Sequence, residues 1–450
     1  MRFVLPFAVL LLTACAGNNS YTIGGTVTGL TGNGGPQSVV LQDNGGDSLT
    51  VSANGPFTFA TALTSNATTS ATYNVTILTQ PIGQTCTVTG GSGTATSNVT
   101  TVVVTCSGTS SSNYAYVVNA GGTVSQYNIG TNGVLNTLAS PVSAGTTPYS
   151  IAVVASGTYA GLYAYVANYG SNNVSEYTIS SGVLTPNTAE TPTATIAAGS
   201  NPFSVTVDPS GEYVYVVNSG TNPGTISQYS INSDGTLTTL GSTAPQTGTT
   251  PYSIAVDPVG PYAYVVNYGD GTISEYTISG GVLSLTATLP APVSGNNNPA
   301  SITVDPSGSY VYVANYSSGA STGTVSEYSI GTGGALTPIG SVTAGSNPIS
   351  VTVSGSSYVY VANYSSGAST GTVSEYSIGT GGALITPTTV ATGKNPSSVT
   401  VDPSGQYAYV ANLGDGTVSQ YTISSGVLTA NTTAATVTVG GQPIAVITAQ

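Results

Sequence analysis

The chain has 450 residues, 39% of them hydrophobic and only 4% charged, with Arg2 and Lys394 as its two basic side chains, no histidine, and a formal net charge of −13. Ordinary soluble domains are about 25% charged. This chain therefore cannot neutralise a nucleic-acid backbone, and it cannot build a histidine triad, a histidine metal site or an arginine clamp on a phosphate. Thirty tyrosines, 58 glycines and 25 prolines, with no tryptophan, predict an all-β protein with many tight turns.

Residues 1–14 read as a signal peptide. Met1-Arg2 supplies the positive start, and the apolar run Phe3 to Leu12 is too short to span a bilayer. The run ends in Leu12-Thr13-Ala14-Cys15, which resembles the bacterial lipobox. The resemblance implies lipidation of Cys15 after cleavage and a membrane partner reached through the acyl chains. Ala16 stands where an inner-membrane retention signal usually has Asp, which favours the outer membrane.

Residues 15–107 alternate short β-like runs with Gly, Asn and Asp turns, such as Asn44-Gly45-Gly46 and Asn54-Gly55. About seven strands in this length predict a small, loosely Ig-like β-sandwich. No residue here suggests chemistry, and a spacer is the expected role. Cys86 and Cys106 lie in strand-like Val/Thr segments, and an exported chain with this even pair is expected to bridge them. Residues 108–113 are Ser-rich and read as a linker.

Residues 114–450 are a repeat array. Tyr-x-Tyr-Val-x-Asn begins at Tyr114, Tyr163, Tyr213, Tyr262, Tyr310, Tyr358 and Tyr407, at spacings of 49, 50, 49, 48, 48 and 49 residues. Each copy is followed by Val/Ile-Ser-Glu/Gln-Tyr and then by Gly-x-Leu. Tyr310 to Leu336 recurs unchanged as Tyr358 to Leu384. A second motif, Pro-x-Ser-Val/Ile-x-Val, precedes six of the seven units, and Pro443 to Ile447 is left over at the end. Four strands per unit follow, and the leftover segment is expected to complete the unit begun at Tyr114, closing a ring without free edges between the chain ends.

This array resembles the YVTN-repeat and lactonase-like seven-bladed β-propellers. The likeness implies a closed propeller over residues 114–450 and an activity that opens sugar lactones or cyclises carboxylated dienes, with His, Arg and Glu near the propeller axis. The chain has no histidine, and its single arginine lies in the signal segment, so the fold transfers without the activity.

The repeats hold further candidates. The position before the tyrosine in Val/Ile-Ser-Glu/Gln-Tyr is Glu176, Glu275, Glu327 or Glu375 in four units and Gln126, Gln228 or Gln420 in three. Glu327 and Glu375 form a conceivable acid/base pair, but a site that accepts Gln reads as a polar strand position. The asparagine ending each Tyr-x-Tyr-Val-x-Asn is expected to cap nearby backbone rather than form an amide ring for glycans. The repeated tyrosines are expected to pack between blades rather than serve as a sugar-stacking platform. The second-to-third-strand loops vary in length. By analogy with other propellers they share a face with the loops entering each blade, which gives Asp270, Asp415 and Lys394 as a candidate ligand face. No catalytic residue, metal or cofactor is expected. The reading favours an envelope-anchored, non-enzymatic module that binds or displays, with a glycan or a surface protein as partner. A lactonase-type hydrolase and a purely structural surface protein are the alternatives.

Overall fold

The computed structural model describes residues 19–30, 38–65, 70–79, 84–108, 113–130, 132–189, 194–290, 297–317, 322–365 and 369–450. The signal segment and Cys15 lie outside the described residues. The chain divides into two compact units, 1–111 and 112–450, at a point within the expected linker 108–113.

In the first unit, one four-stranded sheet runs Gly55–Thr58, Ile23–Thr28, Val99–Gly108, Gln84–Thr89, and the other runs Asp47–Val51, Val39–Asp43, Thr72–Thr79, Ser92–Thr94. Ile23, Val27, Val39, Leu41, Phe57, Val75, Val102 and Val104 from both sheets share one core. Ten strands are present among the described residues rather than about seven. Three of them, Asn19–Tyr21, Leu63–Ser65 and Ser92–Thr94, have three residues each, too few to show an alternating pattern. Cys86 and Cys106 face each other across an antiparallel pair and form a disulfide.

The second unit is built from seven antiparallel sheets among the described residues. Blades 2 to 7 follow chain order, with inner strands at Pro148–Val153, Pro202–Val207, Pro251–Val256, Asn297–Val304, Pro348–Ser354 and Pro396–Val401. Blade 1 takes its inner strand from the end of the chain. Pro443–Ala449 pairs antiparallel with Tyr114–Asn119, placing Val446 opposite Val117 and Ile447 opposite Tyr116. It also packs against the inner strands of blades 2 and 7. The ring closes as the leftover motif predicts, because an unpaired second strand would otherwise expose a row of backbone donors and acceptors.

Each Tyr-x-Tyr-Val-x-Asn strand is the second in its blade and is buried on both faces. Its repeat has a physical cause at every blade interface. The ring of the first tyrosine lies against the glycine of the next blade's Gly-x-Leu; Tyr262 packs on Gly334, for example. That glycine has φ +80°, and a Cβ on it would collide with the ring. The second tyrosine donates its hydroxyl to the same glycine's carbonyl, from Tyr116 to Gly182 (2.8 Å), Tyr264 to Gly334 (2.8 Å) and Tyr409 to Gly133 (2.8 Å). The Glu/Gln of the third strand accepts the leucine amide, as at Leu184 N–Gln126 Oε1 (2.6 Å), Leu336 N–Glu275 Oε1 (2.8 Å) and Leu135 N–Gln420 Oε1 (2.6 Å). Each such bond contributes about 1 kcal/mol. The last bond of each set joins blade 7 to blade 1, so the motifs that bind neighbouring blades also bind the two ends of the array.

Candidate functional site: the central cavity

The inner strands surround a cavity of about 570 Å³ at the propeller centre. All seven inner strands contribute to its lining through the second and third positions of Pro-x-Ser: Tyr149-Ser150, Phe203-Ser204, Tyr252-Ser253, Ala300-Ser301, Ile349-Ser350, Ser397-Ser398 and, in blade 1, Ile444-Ala445. Tyr268, Tyr316, Tyr364 and Leu413, each directly after a strand-ending asparagine, add to the rim.

The serines serve the scaffold first. Ser150, Ser253, Ser301, Ser350 and Ser398 each accept the amide hydrogen of the next blade's inner strand, at Val205 (3.1 Å), Ile302 (3.4 Å), Val351 (3.2 Å), Val399 (3.1 Å) and Val446 (3.2 Å). A hydroxyl that has accepted an amide hydrogen keeps its own hydrogen to donate. In blade 1 the position is Ala445, which carries no hydroxyl.

The aromatic groups come from blades 2 to 6, and those of blades 2 to 5 touch one another in sequence. Tyr149 meets Tyr169 (centroids 5.1 Å apart) and Phe203 (4.7 Å) at tilted angles. Phe203 stacks on Tyr252 (4.2 Å, 10° between planes), and Tyr252 stacks on Tyr268 (4.4 Å, 14°). Tyr316 follows at 6.1 Å from Tyr268. The rings are half-buried and form a continuous crescent across blades 2 to 5. Burial, reinforced by the hydroxyls of Tyr268, Tyr149, Tyr169 and Tyr316, pushes the Tyr252 phenol up to about 12, so at neutral pH Tyr252 is uncharged. Among the described residues lining the cavity there is no carboxylate, amine or imidazole. The lining offers ring surface and hydroxyl hydrogen bonds, and supplies no general acid or base suited to neutral pH.

The other candidates serve the framework. Asn168 donates to Ser175 Oγ (2.9 Å) and accepts from Gly145 N (2.9 Å); Asn267 does the same with Ser274 Oγ (3.0 Å) and Gly248 N (3.0 Å). Asn168, Asn267, Asn363 and Asn412 cap backbone amides, as expected, whereas the buried side-chain oxygens of Asn119, Asn218 and Asn315 accept no hydrogen bond among the described residues. The bonds to Gly145 and Gly248 hold the loop entering a blade against the loop after its second strand, so these two connections do share one face. Asp270 acts there, accepting from Thr249 N (2.7 Å) and Thr272 Oγ1 (2.7 Å). Asp415 accepts from the main-chain N of Lys394 (2.6 Å). The structure thus brings Lys394, the last residue of the fourth strand of blade 6, beside Asp415 of blade 7 and leaves Asp270 on blade 4. Glu327 and Glu375 accept from Leu384 N (2.9 Å) and Leu428 N (2.8 Å), which commits them to two different blade interfaces. Burial raises the Glu275 and Glu327 carboxyls above the ordinary range.

The tyrosines of Tyr-x-Tyr pack between blades, as the repeat predicts. The aromatic crescent escaped that reading because its members occupy variable positions. The x of Pro-x-Ser is Tyr, Phe and Tyr in blades 2 to 4, then Ala, Ile, Ser and Ile. Comparing the variable rather than the invariant positions of the repeat is the signal that finds it.

The family model for the lactonase seven-bladed β-propeller matches residues 83–315 and 284–443. The chain belongs to that family. The propeller is similar in fold to a Bacteroides fragilis protein provisionally described as a 6-phosphogluconolactonase (19% identity, TM-score 0.62, covering 76% of this chain and 100% of that one). A Bacteroides uniformis protein described in the same way is 18% identical, with TM-score 0.62 and coverage of 75% and 99%. The periplasmic gluconolactonase of Pseudomonas aeruginosa is 16% identical, with TM-score 0.60 and coverage of 75% and 99%. No curated protein sequence matches the chain.

Proposed function

We propose that this lactonase-family propeller is a non-enzymatic binding module held on the bacterial envelope by a lipid on Cys15, with an uncharged glycan or a surface protein as its partner. The observation that carries the reading is the central cavity lined by hydroxyls and neutral rings, in a chain whose basic residues are Arg2 and Lys394 alone. Opening a lactone needs a group to activate water and one to stabilise the oxyanion. Holding a phosphorylated or carboxylated sugar needs a cation. Among the described residues, the cavity lining has hydroxyls that could face an oxyanion, but no carboxylate or imidazole to activate water and no cation. The first unit, without chemistry of its own, acts as a spacer from the membrane.

Family membership and the gluconolactonase neighbours favour a second reading, a lactone hydrolase. Purified protein assayed on a panel of sugar lactones separates the two. The binding module gives no turnover above the uncatalysed rate. Turnover that disappears on mutating a propeller carboxylate establishes the hydrolase. For the anchor, metabolic labelling with a fatty acid labels the parent and not Cys15→Ala; equal label in both removes the lipid assignment. Fractionation of the labelled cells tests the outer-membrane placement.

A further inference from the structure

We infer that the aromatic crescent of the central cavity is a saccharide site, which takes a short segment of a neutral oligosaccharide with its apolar face toward the Phe203, Tyr252 and Tyr268 side. This deepens the binding-module reading and rests on it.

Four observations converge. First, the inner-strand rings are not required by the scaffold. The same position is Ala300, Ile349, Ser397 and Ile444 in the other blades, whose inner strands pair with their second strands in the same way. Three consecutive aromatic residues at a position the fold leaves open form a surface with another use. Second, these large side chains stay half-buried at the cavity, whereas the second tyrosine of each Tyr-x-Tyr, at the blade interfaces, is fully buried.

Third, the polar groups in the lining are of one chemical kind. The hydroxyls of Ser150, Ser253, Ser301 and Ser350 have accepted an amide hydrogen and remain donors, whereas Ser398 also donates to Val446 O (3.5 Å); phenol hydroxyls both donate and accept. A wholly apolar ligand would strip water from these hydroxyls and leave them unpaired. An anionic ligand would enter a protein of net charge −13 with no cation in the lining. A pyranose satisfies both halves of the site, since it has a C–H face for the rings and hydroxyls around its edge for the donors. Fourth, the cavity of about 570 Å³ falls within the range of sites that enclose small ligands. It can seat a short part of a chain while the rest leaves through the rim.

Calorimetric titration of the full chain with maltohexaose, cellohexaose and chitohexaose, with polygalacturonate as the anionic comparison, tests the assignment. The expected result is one-to-one binding of at least one neutral hexaose and none of polygalacturonate. Tyr252→Ala should weaken that binding about tenfold or more, because the residue stacks between two other rings and its loss opens the crescent. Tyr252→Phe keeps the ring and removes the hydroxyl. It should weaken binding several-fold with the melting temperature close to the parent's, which preserves the test if Tyr252→Ala fails to fold. Val259→Ser, at an exposed turn between an inner and a second strand, should leave affinity unchanged. Absence of binding by all three neutral hexaoses, or binding that both Tyr252 variants leave intact, overturns the saccharide site. If the parent still retains an envelope component in that case, the binding-module reading survives. Lactone turnover would instead remove that reading itself.

Discussion

Raising the pH above 10 should unfold the propeller in one steep step. Twelve tyrosines, from Tyr116 to Tyr409, are fully buried among the described residues. Burial raises the phenols of Tyr177 and Tyr229 to about 12, and those of Tyr116, Tyr165, Tyr215 and Tyr264 higher still. In the unfolded chain the same phenols ionise near 10. Above that pH the unfolded state loses protons that the folded state retains, so stability falls as pH rises. Each phenol contributes about 1.4 kcal/mol per pH unit until its folded value is reached. For twelve of them the loss at pH 11 is on the order of 15 kcal/mol, which equals or exceeds the whole stability of a typical domain, about 5–15 kcal/mol. The midpoint should therefore fall between about pH 10 and 11. The assay follows tyrosinate absorbance and the far-ultraviolet circular dichroism of the sheets in one titration. The more exposed tyrosines ionise first in a shallow wave, and the buried set follows in one step together with loss of the sheet signal. A single broad wave near pH 10 with the sheet signal intact would refute the argument, because it would mean that these phenols reach water within the folded ring.

Three further outcomes are expected. Glu275 and Glu327 are raised by burial, so their contribution is fully present below the unfolded value of about 4.3 and is lost as pH rises through their folded values; Glu275→Gln with Glu327→Gln, which reproduces the Gln126 arrangement, should remove the part of the fall in denaturation midpoint that sets in as pH rises above about 4.3. Gly334→Ala places a Cβ at φ +80° against the ring of Tyr262 and should cost about 2 kcal/mol or more in chemical denaturation, whereas Gly45→Ala, which meets open space, bears only the backbone penalty of about 1 kcal/mol. Truncation after Gly441 removes the strand carrying Val446 and Ile447, uncovers Tyr114–Asn119 and should cost several kcal/mol, seen as a lower and broader calorimetric transition and self-association through the exposed edge; a truncated chain that melts at the parental temperature without new self-association rules out closure by this strand.

Fold and candidate site were legible to different degrees. Seven copies of Tyr-x-Tyr-Val-x-Asn, six copies of Pro-x-Ser and one leftover Pro443 segment determine a closed ring, because every strand must find a partner. Repetition makes that deduction safe, since one blade interface repeated seven times imposes the same residues seven times. Cys86 and Cys106 were equally readable as an isolated pair in strand-like segments. What each repeated residue does was not readable from spacing. Glu275 reads only as a polar strand position until Leu336 N is found 2.8 Å away on the next blade, and Asp270 reads as a ligand group until its bond to Thr249 N is found. The central cavity belongs to the tertiary structure alone. Tyr149, Phe203 and Tyr252 lie about fifty residues apart in a sequence containing 30 tyrosines, and only closure of the ring turns their side chains toward one axis. Local sequence specifies strands and turns through short-range sterics and alternation. A crescent assembled from different blades depends on the radius and registration of the whole ring, which only the packing of all seven blades decides.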